Sequence, residues 1–356
     1  MSITSLKNQS SAAAIGAVLL TLSIGTPATS ATFNPAPLFD EVSTFTTSIP
    51  GDGDLADIYF PVLSTSSSSD DLLPIALFLQ GANVDKSEYS VFASTVASYG
   101  FAVVVPNHPS DVFAPLGVPD GLFAEQAQID DVLSYVRSEN SNSDSPINGI
   151  LDPDKLVLLG HSFGGIVGLN AIEGSCNFPT CLDDFTRPPE LLGGAFYASA
   201  LIQANLEGIT PPLDNKNIPI ALLAGELDGV TPFPFVEETF NQIQQPPKSL
   251  ITVGGANHYS ITNRNNPPGP VIDPNIPTLE QSVAIETIAR WSSLFLRGYA
   301  LGDEGALEYV NQTGDLLDAN VSVVSQDVPE HSSILGVLSF GGIFLGFARY
   351  RSLRRS

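Results

Sequence analysis

Cysteine, methionine, tryptophan and histidine are all scarce in this chain of 356 residues, which has two Cys, one Met, one Trp and four His. The two cysteines, Cys176 and Cys181 in "GSCNFPTC", exclude a four-ligand zinc site, because no second pair exists. They leave two readings: a short disulfide-closed loop in an oxidising compartment, or two unpaired structural thiols. Positive charge is also sparse. With 14 Lys and Arg against 38 Asp and Glu, the formal net charge is −24, which repels nucleic-acid phosphates and anionic membranes. Nucleic acid is therefore excluded as a partner. No internal repeat stands out, and a chain of this length with 43% hydrophobic residues can bury one large α/β core.

Uncharged apolar runs lie near both ends. The first, Ala12 to Ile24, follows a single Lys7 and leads to small residues around Ala28 to Ala31, the pattern of a cleaved secretory signal over 1–31. The second, Ile334 to Ala348, is short for a stable membrane span and precedes Arg349, Arg351, Arg354 and Arg355, which hold that end on the cytoplasmic side. The segment 328–356 resembles the PEP-CTERM sorting signals of Gram-negative and cyanobacterial exported proteins. Val328-Pro329-Glu330 matches that motif, and His331 replaces the usual second proline. The resemblance implies a signal peptidase and an exosortase-type processing enzyme as partners, transient membrane anchoring, and a body exported to the periplasm, cell surface or medium. A plain tail anchor is the alternative.

Between the ends, "TFTTSIPGDGDLADIYFPV" alternates on both sides of Gly51-Asp52-Gly53 and predicts a β-hairpin. Four near-continuous apolar runs, Ile75 to Leu79, Phe101 to Val105, Leu156 to Leu159 and Ile220 to Ala224, predict strands covered on both faces. Helical spacing marks Tyr89 to Tyr99, Leu122 to Glu139, Ile166 to Ile172 and Thr278 to Leu301, with Trp291 and Phe295 in the core. Alternating strands and helices predict an α/β fold over 32–310, with a mainly parallel sheet, helices on both faces and the hairpin at one edge. Residues 311–327 read as a linker to the tail.

"KLVLLGHSFGGIVGLNA" runs from an apolar strand through a glycine-flanked serine into a helix with almost no loop. Gly160-His161-Ser162-Phe163-Gly164 fits the Gly-x-Ser-x-Gly turn that lifts a serine oxygen above the sheet. A serine hydroxyl needs a base. His161 diverges from its neighbour, His331 lies in the tail, and His108 reads as a loop or pocket-wall residue. His258 in "LITVGGANHYSIT" remains, in the order serine, acid, histidine. Asp228 in "IPIALLAGELDGVTP" is the acid, with Glu226 its local rival. The oxyanion donors are the backbone N–H of Phe163 and, after Gln80-Gly81, that of Ala82.

Together "PIALFLQGANVDKSEYSVFASTVASYGFAVVVPNHP", "LDPDKLVLLGHSFGG", "GELDGVTP" and "GANHYSI" resemble the α/β-hydrolase branch that contains chlorophyllases, platelet-activating-factor acetylhydrolases and dienelactone-hydrolase-like esterases. The likeness spans about Phe45 to Leu301, and Gln80 departs from the family's His-Gly pair. It implies the α/β-hydrolase fold, hydrolysis of a small-molecule or lipid-like carboxylic ester without cofactor or metal, and Ser162, Asp228 and His258 as the matching residues. The alternatives are an acyltransferase or perhydrolase using the same serine, and an inactive binding protein on the same scaffold. Loops at Cys176 to Glu190, Gln203 to Asn217 and 262–277 could wall the cleft. The last of these reads equally as a rim or as a rigid surface connector.

Overall fold

A nine-stranded sheet organises the chain in a computed structural model that describes residues 33–63, 72–204 and 208–327. The expected leader and sorting tail lie outside the described residues. The strands are β1 (Val42–Ser48), β2 (Leu55–Pro61), β3 (Leu73–Leu79), β4 (Ala102–Pro106), β7 (Leu151–His161), β8 (Leu191–Tyr197), β9 (Ile220–Gly225), β10 (Lys248–Val253) and β11 (Val321–Gln326). Two-residue strands β5 (Pro109–Ser110) and β6 (Gly121–Leu122) pair separately. Across the large sheet the order is β1-β2-β4-β3-β7-β8-β9-β10-β11. The six strands from β4 to β10 are parallel, while β1, β2 and β11 run antiparallel to their neighbours.

Alternation along the buried strands divides the core. Leu77, Leu158 and Leu222 face α2 (Ala127–Ser141), α3 (Phe163–Glu173) and α4 (Phe233–Gln242), against residues such as Val132, Val167 and Phe240. Phe78, Val157 and Leu223 face α1 (Ser90–Ser98) and α5 (Gln281–Leu301), against Phe92, Ile288, Trp291 and Phe295. Strands buried on both faces carry apolar residues at successive positions, which is why the four runs were legible. The architecture is compatible with an α/β-hydrolase-like fold. The chain passes from β3 to β4 on one side and later returns to β7 on the other, so the strand order reverses beside β3. At such a switch point the carboxyl ends of the strands leave a crevice.

Two expectations need correction, and two elements are added. Residues 311–327 are not a linker: after α6 (Glu304–Glu308) and a π turn they form α7 (Gly314–Leu317) and the edge strand β11. Asp318 accepts from Arg290 Nη2 at 2.7 Å and Trp291 Nε1 at 3.0 Å, fastening this segment to α5. The predicted helix over Leu122 to Glu139 begins at Ala127, because Gly121 and Leu122 pair with β5 and the Glu125 carboxylate serves His108 and the Leu182 N–H. Strand β8 and helix α4 add elements that the apolar runs did not mark.

His108 fastens the hairpin turn to the body. Its buried ring places Nδ1 3.0 Å from Asp54 Oδ2 and Nε2 3.5 Å from Glu125 Oε2, and Gln128 Nε2 donates to the same Asp54 oxygen at 3.1 Å. Burial alone would lower the imidazole pKa. The hydrogen bonds to Asp54 and Glu125 outweigh it and raise the value from 6.5 to about 9. A raised folded-state pKa gives stability that is complete below 6.5 and lost as pH rises through about 9. Denaturant titrations between these limits are expected to show wild-type stability falling with pH and His108→Gln lacking that part of the slope.

Candidate active site

Ser162 sits where β7 ends and α3 begins, with φ 51° and ψ −120°. A non-glycine residue in this region is strained, and the strain is held by the surrounding backbone. Ser162 N–H donates to Tyr197 O at 2.9 Å, and the Ser162 carbonyl accepts from Gly165 N–H at 3.0 Å and from Ser199 Oγ at 3.0 Å. Gly164 must be glycine, because a Cβ there would run into Leu79 O and lie 2.5 Å from Gln80 O. The turn thus packs directly on the chain leaving β3.

Asp228 and His258 stand on the loops that follow β9 and β10. Asp228 is buried and divides its carboxylate between two tasks. Oδ1 accepts from the N–H groups of Val230 at 2.8 Å and Thr231 at 2.7 Å, while Oδ2 lies 2.9 Å from His258 Nδ1. With Nδ1–H donated to Asp228, His258 presents a proton-accepting Nε2. Glu226 instead accepts from Gly255 N–H at 2.9 Å and braces the turn before the histidine.

A second buried carboxylate, Asp273, joins these loops. It accepts from His258 N–H at 2.9 Å, from Gly229 N–H at 3.2 Å and from Asn275 N–H at 2.8 Å. The 262–277 segment is therefore a clamp as well as a rim: Val271 and Pro270 line the cleft, and Asn263 is sewn to the turn before α1 through Ser87 O at 2.7 Å and Ser90 Oγ at 2.8 Å. Arg264 adds Nε bonds to Glu88 at 3.0 and 3.1 Å. Nothing in "VIDPNIP" set Asp273 apart from a solvated loop acid, since its partners lie 15 and 44 residues away.

One small cleft, about 80 Å³, brings Ser162, His258 and Ala82 together, lined also by Gly81, Asn83, Val84, Val230 and Tyr259. Three N–H groups of the turn after β3 are committed: Gly81 to Tyr89 Oη at 3.0 Å, Asn83 to Leu122 O at 2.7 Å and Val84 to Gly81 O at 3.1 Å. The Ala82 N–H has no acceptor among the described residues. Phe163 N–H opens α3, where a first-turn donor has no intrahelical partner. Gln80 is buried with its amide oxygen toward His108 N–H at 2.9 Å and its nitrogen toward Pro106 O, so its side chain braces the turn against β4. The Phe163 ring packs edge-on against Phe113 and Phe123, at centroid distances of 5.6 and 6.1 Å, and half-exposed Phe178 extends that wall.

Cys176 and Cys181 form a disulfide beyond α3, closing the loop that carries Phe178. His108 lies in the wall of a separate depression rimmed by Asp52, Asp111, Asp120, Asp131 and Asp183. Among the described residues, no group of three or more His, Cys, Asp or Glu side chains is placed to hold a metal ion, and no helix is long and apolar enough to cross a membrane. No protein-family model matches this sequence, and no curated protein matches it.

Asp273→Asn turns an N–H donor toward backbone N–H groups that need an acceptor. It is expected to lower unfolding free energy by about 1–3 kcal/mol in urea titrations, the cost of orphaning buried donors.

Proposed function

We propose that the protein is an exported serine hydrolase that cleaves carboxylic esters through Ser162, His258 and Asp228. The observation that carries this reading is the buried Asp228–His258 pair opening onto the same cleft as a serine held at positive φ. Isolated surface serines need no such strain, and a buried acid–imidazole pair aimed at a cleft matches general-base chemistry.

Ser162 Oγ attacks the ester carbonyl carbon while His258 Nε2 takes its proton, and Asp228 stabilises the imidazolium. The carbonyl oxygen gains negative charge and is met by the N–H groups of Phe163 and Ala82. Collapse of the tetrahedral adduct breaks the bond to the alkoxy group, which leaves as an alcohol with the proton from His258. Water then attacks the acyl-serine, giving a proton to His258 and returning it to Ser162 as the acid departs.

Apolar groups around the cleft, with Val230, Pro270 and Val271 at its wall and the phenylalanine cluster beside Ser162, favour an uncharged acyl chain. The net charge of −24 works against an anionic one. The disulfide fits an oxidising compartment, in keeping with export.

The purified protein is expected to hydrolyse p-nitrophenyl acetate and butyrate without added metal and to be labelled by a fluorophosphonate. Ser162→Ala is expected to cut kcat/KM at least about 1,000-fold and abolish labelling. Undiminished turnover in that variant refutes the assignment. An ester bearing a free carboxylate on its acyl chain is expected to react at least about threefold more slowly than its uncharged analogue at low salt, the gap narrowing as salt screens the surface charge.

A further inference from the structure

His161, the neighbour of Ser162, is fully buried and both of its ring nitrogens are engaged. Nε2 lies 3.0 Å from the backbone carbonyl of His258, and Nδ1 lies 2.9 Å from Tyr89 Oη. Hydrogen-bond logic fixes every proton. A carbonyl only accepts, so Nε2 carries the hydrogen; Nδ1 of the neutral ring therefore accepts, and Tyr89 O–H donates to it. The lone pair left on Tyr89 Oη accepts the Gly81 N–H at 3.0 Å. One unbranched path thus runs from the turn that bears Ala82, through Tyr89 and the residue next to Ser162, to the backbone of His258.

From this geometry we infer that Tyr89 and His161 are positioning residues for ester hydrolysis, forming a relay that holds the oxyanion turn, the nucleophile turn and the base loop in register. The inference rests on the hydrolase reading above. Each end of the relay bears on a different step. At Gly81 it fixes the peptide next to the Ala82 donor, whose placement matters where negative charge develops. At His258 it holds the carbonyl of the main chain that carries the base, whose N–H is held by Asp273.

Independent features agree. A Cβ on Gly81 would lie 2.7 Å from His161 Nδ1 and 3.2 Å from Tyr89 Oη, so the turn rests directly on the relay. The path is buried away from the surface: Tyr89 and His161 are fully buried, Tyr89 packs on Phe78 with ring centroids 4.4 Å apart, and the His161 ring lies 4.7 Å from that of His258. Burial, then the neighbouring His258 imidazole, pushes the His161 pKa well below its ordinary value, keeping the ring neutral, and burial keeps the Tyr89 phenol protonated. The bonds from Asn263 and Arg264 to residues 87–90 tie the base loop to the same Tyr89 turn from outside.

Tyr89→Phe removes one oxygen and leaves the ring packing. It is expected to lower kcat for p-nitrophenyl acetate by about tenfold or more with KM changed less than about twofold, because the loss falls on groups that act in the transition state. His161→Gln places an amide N–H near the position of Nε2 and is expected to recover at least about threefold more kcat than His161→Leu, which makes neither bond. Thermal unfolding of each variant separates this from loss of fold, since a merely structural role would lower the melting temperature and the active fraction, not the turnover of active sites counted by fluorophosphonate titration. Per-site kcat equal to wild type in Tyr89→Phe, or no difference between the two His161 variants, overturns the relay and leaves the hydrolase reading standing. A wild-type protein without Ser162-dependent turnover overturns both.

Discussion

Contact between two chain reversals, the one after β3 and the one after β7, is the constraint on which the site depends. Strands β3 and β7 are hydrogen-bonded neighbours from Leu73↔Leu151 to Leu79↔Gly160, so their carboxyl ends emerge side by side. The backbone at Gly164 then meets the carbonyls of Leu79 and Gln80 with no room for a side chain. That fit keeps Ser162 at positive φ, because relaxing it would push α3 into the chain leaving β3. The same fit brings the turn that bears Ala82 into one cleft with Ser162. The proposed nucleophile and the proposed Ala82 donor are thus one packing problem.

Asp228 and His258 pose a different problem, how to keep two loops 30 residues apart in register without a sheet bond between their tips. Asp228 and Asp273 do this with backbone N–H groups, which are fixed by the chain and cost no side-chain entropy to order. His258 is held at three points: the ring by Asp228, the N–H by Asp273 and the carbonyl by His161. Tyr197 extends the restraint by donating to Asn257 O at 2.5 Å. An imidazole so held retains one tautomer and one orientation.

Legibility in the sequence followed the range of the interactions. The four apolar runs and the serine turn are local patterns, set by burial on both faces and by backbone crowding, and the strands over Ile75 to Leu79 and Ile220 to Ala224 stand where those patterns put them. Strand β8 escaped because Gly193-Gly194 interrupts its apolar run, although the flanking residues are buried. Strand β11 escaped because an edge strand buries only some of its positions: Ser322, Val324 and Gln326 are exposed, and the segment reads as polar spacer. Asp273, Tyr89 and His161 carried no local signal at all. The contacts that matter here are distant in sequence, 15 residues for Asp273 with His258, 72 for Tyr89 with His161 and 97 for His161 with the His258 carbonyl, and only the fold brings them together.

Charge gives the last step. Seven carboxylates are deeply buried among the described residues, and five of them face a cation or a protonated ring: Asp54 and Glu125 at His108, Asp57 at Lys86, Glu88 at Arg264 and Asp318 at Arg290. Asp228 and Asp273 are the exceptions, solvated by N–H dipoles and His258. The difference follows from what each must do. In the proposed hydrolysis, a lysine or arginine beside Asp228 would settle the carboxylate permanently and repel the imidazolium as it forms, working against the role proposed for Asp228. Backbone dipoles stabilise the carboxylate without adding a net positive charge, so its field is left for the His258 ring, as the proposed proton transfer requires. A chain with 38 acidic residues and 14 basic ones can leave these two unpaired with cations, provided the loops that solvate them cannot move. The clamp at Asp273 and the contacts at Tyr89 and His161 meet that condition.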